Sequence, residues 1–285
     1  VGYKPFEGIV LTDTFQMTED GDTLDEAMFT GNNDRVIAQN GLDIRVIVGN
    51  PPYSVGQSSG NDNNANQKYP TLDESIRSTY AARSSATNKN SLYDSYIRAI
   101  RWASNRILDS ENGGVVCYVS NGGYIDGNTA DGLRKTLAKE FHDIYIFNLK
   151  GNSRTAGEQA KREGGNVFDI RVSVAVIVLV KRRGAVGSCV LHYLGVGDYL
   201  DRAAKLATLE ENSLSSLEWD TIEPNQYGDW INQRDPNYEN YPLIADKKDR
   251  TGRTIFSIQS GGLKTNRDAW VYNSSEEKDA TNAES

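Results

Sequence analysis

A near-continuous apolar run, from Val172 to Val180, constrains the fold of this chain most strongly. Its nine residues are interrupted only by Ser173, and they are too few to cross a bilayer, which takes about 20 residues as a helix. A run of this kind is typical of a strand that helices bury on both faces. We therefore expect a central strand of a covered sheet at 172–180.

Shorter apolar runs alternate with helical patterns along most of the chain. Apolar residues recur at three- and four-residue spacing in 92–108, which predicts an amphipathic helix. This alternation is typical of an α/β fold and spans about residues 8–183. The stretch 54–90 is poor in aliphatic residues, so we expect a long functional or mobile loop there. The other predicted strands are 8–13, 43–49, 115–119, 143–148 and 189–194, and the other predicted helices are 131–141, 201–216 and a short one within 21–33.

Charge and cysteine content narrow the class of protein. The 285 residues carry a net charge of −8, which argues against a general nucleic-acid coat and against a membrane-surface protein. Cys117 and Cys189 both lie in apolar runs, so we expect buried free thiols in a cytoplasmic protein. His142 and His192 are far apart and have no cysteine at metal-ligand spacing, so no metal site is expected.

One segment departs from this acidic balance. Between Lys150 and Arg183, eight basic residues stand against three acidic ones, which gives the segment a charge of +5. An ordinary solvated surface accounts for such a segment, and so does a local phosphate-binding face. Composition alone does not separate the two.

The tetrapeptide Asn50-Pro51-Pro52-Tyr53 directly follows the predicted strand 43–49. Ligands of open α/β sheets bind at this carboxyl end of the strands. The Asn50 side-chain carbonyl and the Pro51 backbone carbonyl are two acceptors that one amino group can satisfy. The Tyr53 ring offers a flat face on which a planar group can stack. The tetrapeptide therefore predicts either a rigid turn or a site for a planar molecule that carries an NH₂ group.

This tetrapeptide resembles the Asp/Asn/Ser-Pro-Pro-aromatic motif of N6-adenine DNA methyltransferases of the gamma type. Asp13 and Phe15 match the acidic turn that lies upstream in those enzymes, and Phe168, in 166–171, matches their base-stacking aromatic. The resemblance implies a partial Rossmann-like sheet that uses S-adenosylmethionine. It further implies that Asn50, Pro51, Pro52 and Tyr53 are catalytic, that Asp13, Phe15 and Asn50 bind the cofactor, and that Tyr53 and Phe168 hold a flipped adenine.

A closer resemblance concerns 49–57 and 92–104, which are similar to the methyltransferase part of large single-chain restriction–modification ATPases. In those proteins a nuclease and a helicase precede the methyltransferase, and a target-recognition domain follows it. The stretch 261–270 is similar to the start of that recognition domain. The resemblance implies double-stranded DNA as the partner, with helicase and nuclease domains on the same parent polypeptide. The DNA-contacting residues that it implies, besides Tyr53 and Phe168, are Lys150, Arg154, Lys161, Arg162, Lys264 and Arg267.

The resemblance also sets the expected domain boundaries. Residues 1–197 are expected to form the carboxyl-terminal part of the methyltransferase domain, 198–255 a connector, and 256–285 the start of the target-recognition domain. The Asp-Pro-x-x-Gly-x-Gly loop and the first two strands of the family are missing from this sequence. We therefore expect a chain that begins within the domain, an incomplete S-adenosylmethionine pocket and an isolated chain without activity.

Three functions stay open at this point. The first is site-specific transfer of a methyl group to adenine N6 in DNA. The second is transfer to an RNA base or to a protein glutamine amide, since the same tetrapeptide occurs in those methyltransferases and both acceptors are planar NH₂ groups. The third is a non-catalytic DNA-recognition fragment of a restriction helicase.

Overall fold

A computed structural model describes residues 6, 8–19, 26–53, 68–235, 237, 240–246 and 254–258. The chain divides into two compact units, Val1–Gln233 and Arg234–Ser285. In the second unit, the described residues include one isolated bridge between Leu243 and Thr254. Among the described residues, no helix is both long enough and apolar enough to cross a membrane.

The first unit is a mixed α/β structure, which confirms the α/β part of the predicted fold class. Its helices are α1 (Glu26–Asn40), α2 (Pro70–Ile76), α3 (Ser95–Leu108), α4 (Asp131–Glu140), α5 (Gly157–Glu163) and α6 (Arg202–Glu211). Its strands are β1 (Val46–Gly49), β2 (Gly114–Asn121), β3 (Asp143–Lys150), β4 (Val174–Lys181), β5 (Val190–Gly195) and β6 (Asp220–Ile222).

The strands form a six-stranded sheet in the order β1-β2-β4-β3-β5-β6. β1 pairs parallel with β2, and β3 pairs parallel with β5, whereas β4 runs antiparallel to both β2 and β3. The carboxyl ends of β1, β2, β3 and β5 therefore lie at one edge of the sheet, together with the amino end of β4. This edge is called the carboxyl edge below.

The apolar run that predicted a central strand is β4. Ala175, Ile177 and Leu179 pack into one hydrophobic cluster, and Val174 and Val176 pack into another. Because successive side chains of a strand point to opposite faces, the two clusters cover the two faces of the sheet. Burial on both faces requires an apolar residue at nearly every position, which is the pattern in the sequence.

The predicted strand at 8–13 is wrong. The backbone of this segment is hydrogen-bonded by side chains of α1 instead of by a neighbouring strand. The Asn32 amide bonds both the N–H and the C=O of Leu11, at 2.7 and 2.8 Å, and Arg35 Nε donates to the Ile9 carbonyl at 3.1 Å. An apolar run with extended backbone becomes a strand only if another strand lies beside it, and that depends on the tertiary structure.

Other boundaries also differ from the predictions. Residues 70–81 were expected to be loop, yet they form α2 and a π-helical turn at Arg77–Ala81. Leu72, Ile76 and Tyr80 make a narrow buried stripe at four-residue spacing, and the many polar residues around it hide the signal. The helix expected within 21–33 extends to Asn40, and α6 ends at Glu211 instead of residue 216.

Candidate active site at the carboxyl edge of the sheet

A cavity of about 630 Å³ lies at the end of β1 and brings together segments that are distant in sequence. Residues 12–15 line it from one side, and residues 47–52 line it where β1 ends. We call it the Asn50 cavity. It contains five of the predicted site residues, namely Asp13, Phe15, Asn50, Pro51 and Pro52.

Three further lining residues, Ala99, Trp102 and Tyr118, were not predicted as site residues. Ala99 and Trp102 lie on α3, and Tyr118 lies on β2. Trp102 lies off the apolar stripe that predicted α3. A large aromatic residue outside the core-facing stripe was the one feature of the sequence that could have indicated its place in a site. Tyr118 also explains why Gly49 is a glycine, because a Cβ there would lie 3.0 Å from the Tyr118 ring.

Asp13 fixes the turn that carries Phe15. Its Oδ1 accepts a hydrogen bond from the Phe15 N–H at 3.0 Å, and its Oδ2 accepts one from the Tyr69 hydroxyl at 2.7 Å. The Tyr69 ring meets the Phe15 ring edge-on, with centroids 5.3 Å apart. Burial, followed by the bond to Asp13, raises the pKa of Tyr69, so the phenol stays protonated as a donor. Asp13 thus lines the cavity and shapes its wall.

Tyr53 and Phe168 form an aromatic pair beside the tetrapeptide. Their ring centroids are 5.9 Å apart and their planes are inclined by 59°. Phe168 is 44% exposed, so it is not a core residue. The Tyr53 hydroxyl is buried without a hydrogen-bond partner among the described residues, and burial raises its pKa to about 12.

The basic residues between 150 and 183 do not form one continuous face. β4 carries the chain away from the carboxyl edge, so Lys181 and Arg182 lie at the opposite edge, where Lys181 donates to the Glu140 carbonyl and Arg182 pairs with Asp143. The strand separates the two ends of the segment by about 25 Å at roughly 3.3 Å per residue, so Lys181 and Arg182 do not share a surface with the basic residues near the carboxyl edge.

Near the carboxyl edge, several of the predicted phosphate contacts already have acidic partners. Lys150 Nζ lies 2.6 Å from Asp198, and this hydrogen bond lowers the pKa of the Asp198 carboxyl. Arg162 also lies near Asp198, at 3.9 Å, and Lys161 lies 3.7 Å from Glu158. Arg154 is exposed, and no ion pair between described residues involves it. Lys264 and Arg267 lie outside the described residues.

A second cavity, of about 240 Å³, lies further along the carboxyl edge. Asn121 at the end of β2, Asn152 and Arg154 after β3, and Ser173 before β4 contribute to its lining. Arg154 is thus a predicted DNA contact that borders a cavity. No group of three or more His, Cys, Asp or Glu side chains in the described part of the chain is arranged to hold a metal ion.

Solved structures of larger proteins resemble this chain over 99% of its length. A nuclease-deletion mutant of the Type ISP restriction–modification enzyme LlaGI, in complex with a DNA substrate mimic, is 45% identical with a TM-score of 0.84. The ATP-dependent Type ISP restriction–modification enzyme LlaBIII, bound to DNA, is 44% identical with a TM-score of 0.88. A complex of DrdV with DNA is 38% identical with a TM-score of 0.85.

The chain spans 26% of the LlaGI chain, 19% of the LlaBIII chain and 28% of the DrdV chain. No protein-family model and no curated protein sequence matches it. The chain is therefore similar, in sequence and in fold, to a segment of Type ISP restriction–modification enzymes. This agrees with the part of the expected resemblance that concerns large restriction–modification proteins.

Proposed function

We propose that this chain is the methyltransferase segment of a restriction–modification enzyme and that it acts on adenine N6 in double-stranded DNA. The observation that carries the proposal is the Asn50 cavity, where the turn at 12–15 meets the Asn-Pro-Pro segment. The aromatic pair Tyr53–Phe168 beside it supports the same assignment. We also propose that the methyltransferase domain ends at residue 197 and that a connector over 198–255 leads to the target-recognition domain.

The acceptors at the end of β1 suit an exocyclic amine. The N6 lone pair of adenine is delocalised into the ring and is a poor nucleophile. Hydrogen bonds from N6–H to the Asn50 side-chain oxygen and the Pro51 carbonyl would raise electron density on the nitrogen and aim its lone pair. Holding the amine in this way reduces the entropy lost on reaching the transition state.

The lining of the Asn50 cavity fits one half of S-adenosylmethionine. When bound, this cofactor supplies an activated methyl group on its sulfonium. The Asp13 carboxylate is an acceptor for the amino group of its adenine, and Phe15 offers a ring face. The volume of about 630 Å³ lies within the usual range for small-molecule sites. None of the described lining residues is basic, so a cationic partner for the methionyl carboxylate would have to come from elsewhere.

The aromatic pair suits a base that has left the duplex. Extruding the base costs a few kcal/mol, and stacking returns about 1–3 kcal/mol per base. The exposed face of Phe168 is available for such stacking, and the ring of Tyr53 lies beside it. Stacking on either ring would hold the base near Asn50 while the methyl group is transferred.

Double-stranded DNA is the proposed partner because LlaGI, LlaBIII and DrdV were each solved with DNA or a DNA mimic. Arg154 is the strongest candidate for a phosphate contact, since it is exposed and has no ion pair among the described residues. To bind a phosphate, Lys150, Lys161 and Arg162 would first have to break an ion pair with an acidic side chain. We also propose that the parent polypeptide carries helicase and nuclease domains.

The experiment is methyl transfer by the intact parent enzyme carrying Asn50→Ala, with labelled S-adenosylmethionine and DNA, RNA or protein as acceptor. We expect DNA methylation by the wild type, near-complete loss in the variant, and DNA affinity unchanged within a few-fold, because Asn50 acts on the transition state. Asn112→Ala is the matched control. Asn112 lies just before β2, at the edge of the sheet opposite the Asn50 cavity, and its side-chain amide donates a hydrogen bond to Asp43.

Two results would contradict the proposal. Retention of more than about a tenth of the rate, an effect below about 1.4 kcal/mol, would remove Asn50 from the transition state. Transfer by the wild type to RNA or to a glutamine amide, and not to DNA, would assign a different acceptor. A wild-type parent that binds DNA but transfers no methyl group to any acceptor would favour a recognition fragment.

A further inference from the structure

A single side chain, Asn166, organises the loop that carries Phe168. Its Oδ1 accepts hydrogen bonds from the N–H groups of Phe168, at 2.9 Å, and Ile170, at 3.2 Å. Its Nδ2 donates to the carbonyls of Val172, at 2.7 Å, and Gly151, at 2.9 Å. A side-chain amide has two donors and one carbonyl oxygen with two lone pairs, so Asn166 uses its full capacity.

The bond to Gly151 joins this loop to a second one, which follows β3. Gly151 has a φ of +87°, and a Cβ there would lie 2.9 Å from the Asn166 Cα, so the two loops approach this closely only with glycine. The next residue, Asn152, accepts a hydrogen bond from the Arg154 N–H at 3.0 Å. The backbone that presents Arg154 is thus directly linked to the backbone that presents Phe168.

The surroundings of Asn166 hold it in place from two sides. Val167 is buried in the cluster that contains Phe147 and Leu149. Lys205 of α6 is fully buried, and its Nζ donates to the carbonyls of Glu163 and Gly165, both at 2.7 Å. The loop backbone is therefore fixed while the ring of Phe168 stays exposed.

We propose that Asn166 is a positioning residue that sets the Phe168 ring against Tyr53 and couples it to the loop that presents Arg154. Base stacking and phosphate contact then depend on one amide. The proposal rests on the proposed function for the roles of Phe168 and Arg154. Asparagine is required because aspartate lacks the two donors and would place a charged oxygen against the carbonyls of Gly151 and Val172.

The test compares Asn166→Ala with Asn225→Ala in the intact parent enzyme. Asn225 is a matched control, because its Oδ1 also accepts two backbone N–H groups, from Tyr227 and Asp229, in a loop that holds none of the candidate site residues. We expect hydrogen exchange at the Phe168 and Ile170 amides to become at least about 10-fold faster in Asn166→Ala, which corresponds to about 1.4 kcal/mol. Exchange there should not change in Asn225→Ala.

The functional readout is a double-mutant cycle with Phe168→Ala. At DNA concentrations that saturate binding, so that a weaker Arg154 contact does not enter, the double variant should capture a target 2-aminopurine no worse, within a factor of about 2, than Phe168→Ala alone. Asn166→Asp tests the acceptor and the donors of the amide separately. The carboxylate still accepts hydrogen bonds from Phe168 and Ile170, but it has neither of the two N–H donors. We expect it to preserve protection of those two amides and to increase exchange in 151–155. If Asn166→Ala does not fold, the exchange measurement on Asn166→Asp tests the proposal in its place.

Unchanged exchange at 166–172 in Asn166→Ala would overturn the proposal. Independent losses that multiply in the double variant would overturn it as well, because Asn166 would then not act through Phe168. A wild-type enzyme that transfers no methyl group would refute the proposed function instead. The exchange measurement would still decide whether Asn166 positions Phe168.

Discussion

The ring and the hydroxyl of Tyr53 have different surroundings, and only the ring has a neighbour of functional interest. The ring lies next to Phe168, whereas the hydroxyl is buried without a hydrogen-bond partner among the described residues. A buried hydroxyl that makes no hydrogen bond is destabilising by about 1–3 kcal/mol. At the scale of the residue, the structure thus favours a stacking role for the ring over a polar role for the phenol.

We therefore predict that Tyr53→Phe keeps methylation and base extrusion within about 2-fold of wild type, whereas Tyr53→Ala weakens base capture at least about 10-fold through the lost stacking of roughly 1–3 kcal/mol. Fluorescence of 2-aminopurine at the target position reports extrusion directly. Tyr53→Phe should also leave the melting temperature unchanged or raise it. If phenylalanine impairs base capture as strongly as alanine, stacking is the wrong explanation.

An ion pair between buried Arg98 and partly exposed Asp73 joins α2 to α3, beside the apolar contacts of the two helices and the Ser75–Asn105 hydrogen bond. Arg98 on α3 makes two parallel hydrogen bonds of 2.8 Å to Asp73 on α2, and its side chain is only 6% exposed. The guanidinium also lies over the ring of Tyr69, 5.3 Å from its centroid. Since Tyr69 bonds Asp13, this ion pair supports a wall of the Asn50 cavity.

The neighbouring residue of α2 provides an exposed comparison. Glu74 pairs with Arg77 on the surface, where both side chains are more than half exposed. We predict that Asp73→Asn lowers the free energy of unfolding by about 3 kcal/mol, because it leaves Arg98 buried without its charge partner. Glu74→Gln should cost less than about 1 kcal/mol.

Denaturant titration of both variants measures this difference. Asp73→Asn should also weaken cofactor binding by the parent enzyme, since the wall at Tyr69 and Asp13 loosens. Equal losses of stability in the two variants would show that burial of the Arg98–Asp73 pair does not set its strength.

Across the whole molecule, the described residues leave β1, which borders the Asn50 cavity, uncovered on its outer side. Val46 and Val48 of β1 are 66% and 74% exposed, and among the described residues no strand pairs with the outer edge of β1. Valines on a parallel edge strand are ordinarily covered on both faces. The lining of the Asn50 cavity also has no basic residue for a carboxylate.

We predict that this chain alone binds S-adenosylmethionine weakly or not at all, and that the intact parent binds it at least about 10-fold more tightly. Without a basic residue in the described lining, the charged methionyl end would lose charge-assisted hydrogen bonds, each contributing about 1 kcal/mol or more. Isothermal titration calorimetry on both proteins measures the difference. Low-micromolar binding to the chain alone, at unit stoichiometry, would mean that the described residues already form a complete pocket.

Several elements of the fold could be predicted from the residues, because the causes of these elements are local. The apolar run at 172–180 predicted β4 because burial on both faces leaves no position for polar residues. The spacing in 92–108 predicted α3, and the two prolines after β1 predicted that the strand ends there. Asn50, Asp13 and Phe15 were chosen by resemblance, and the cavity brings them together.

Features that depend on a partner distant in sequence could not be predicted from local patterns of residues. The segment 8–13 has the composition of a strand, but its hydrogen bonds go to Asn32 and Arg35 because α1 lies beside it. The basic residues between 150 and 183 are contiguous in sequence and separated in space, because β4 crosses the sheet between them. Pairing and separation of this kind depend on which elements become neighbours, and no local pattern of residues specifies that.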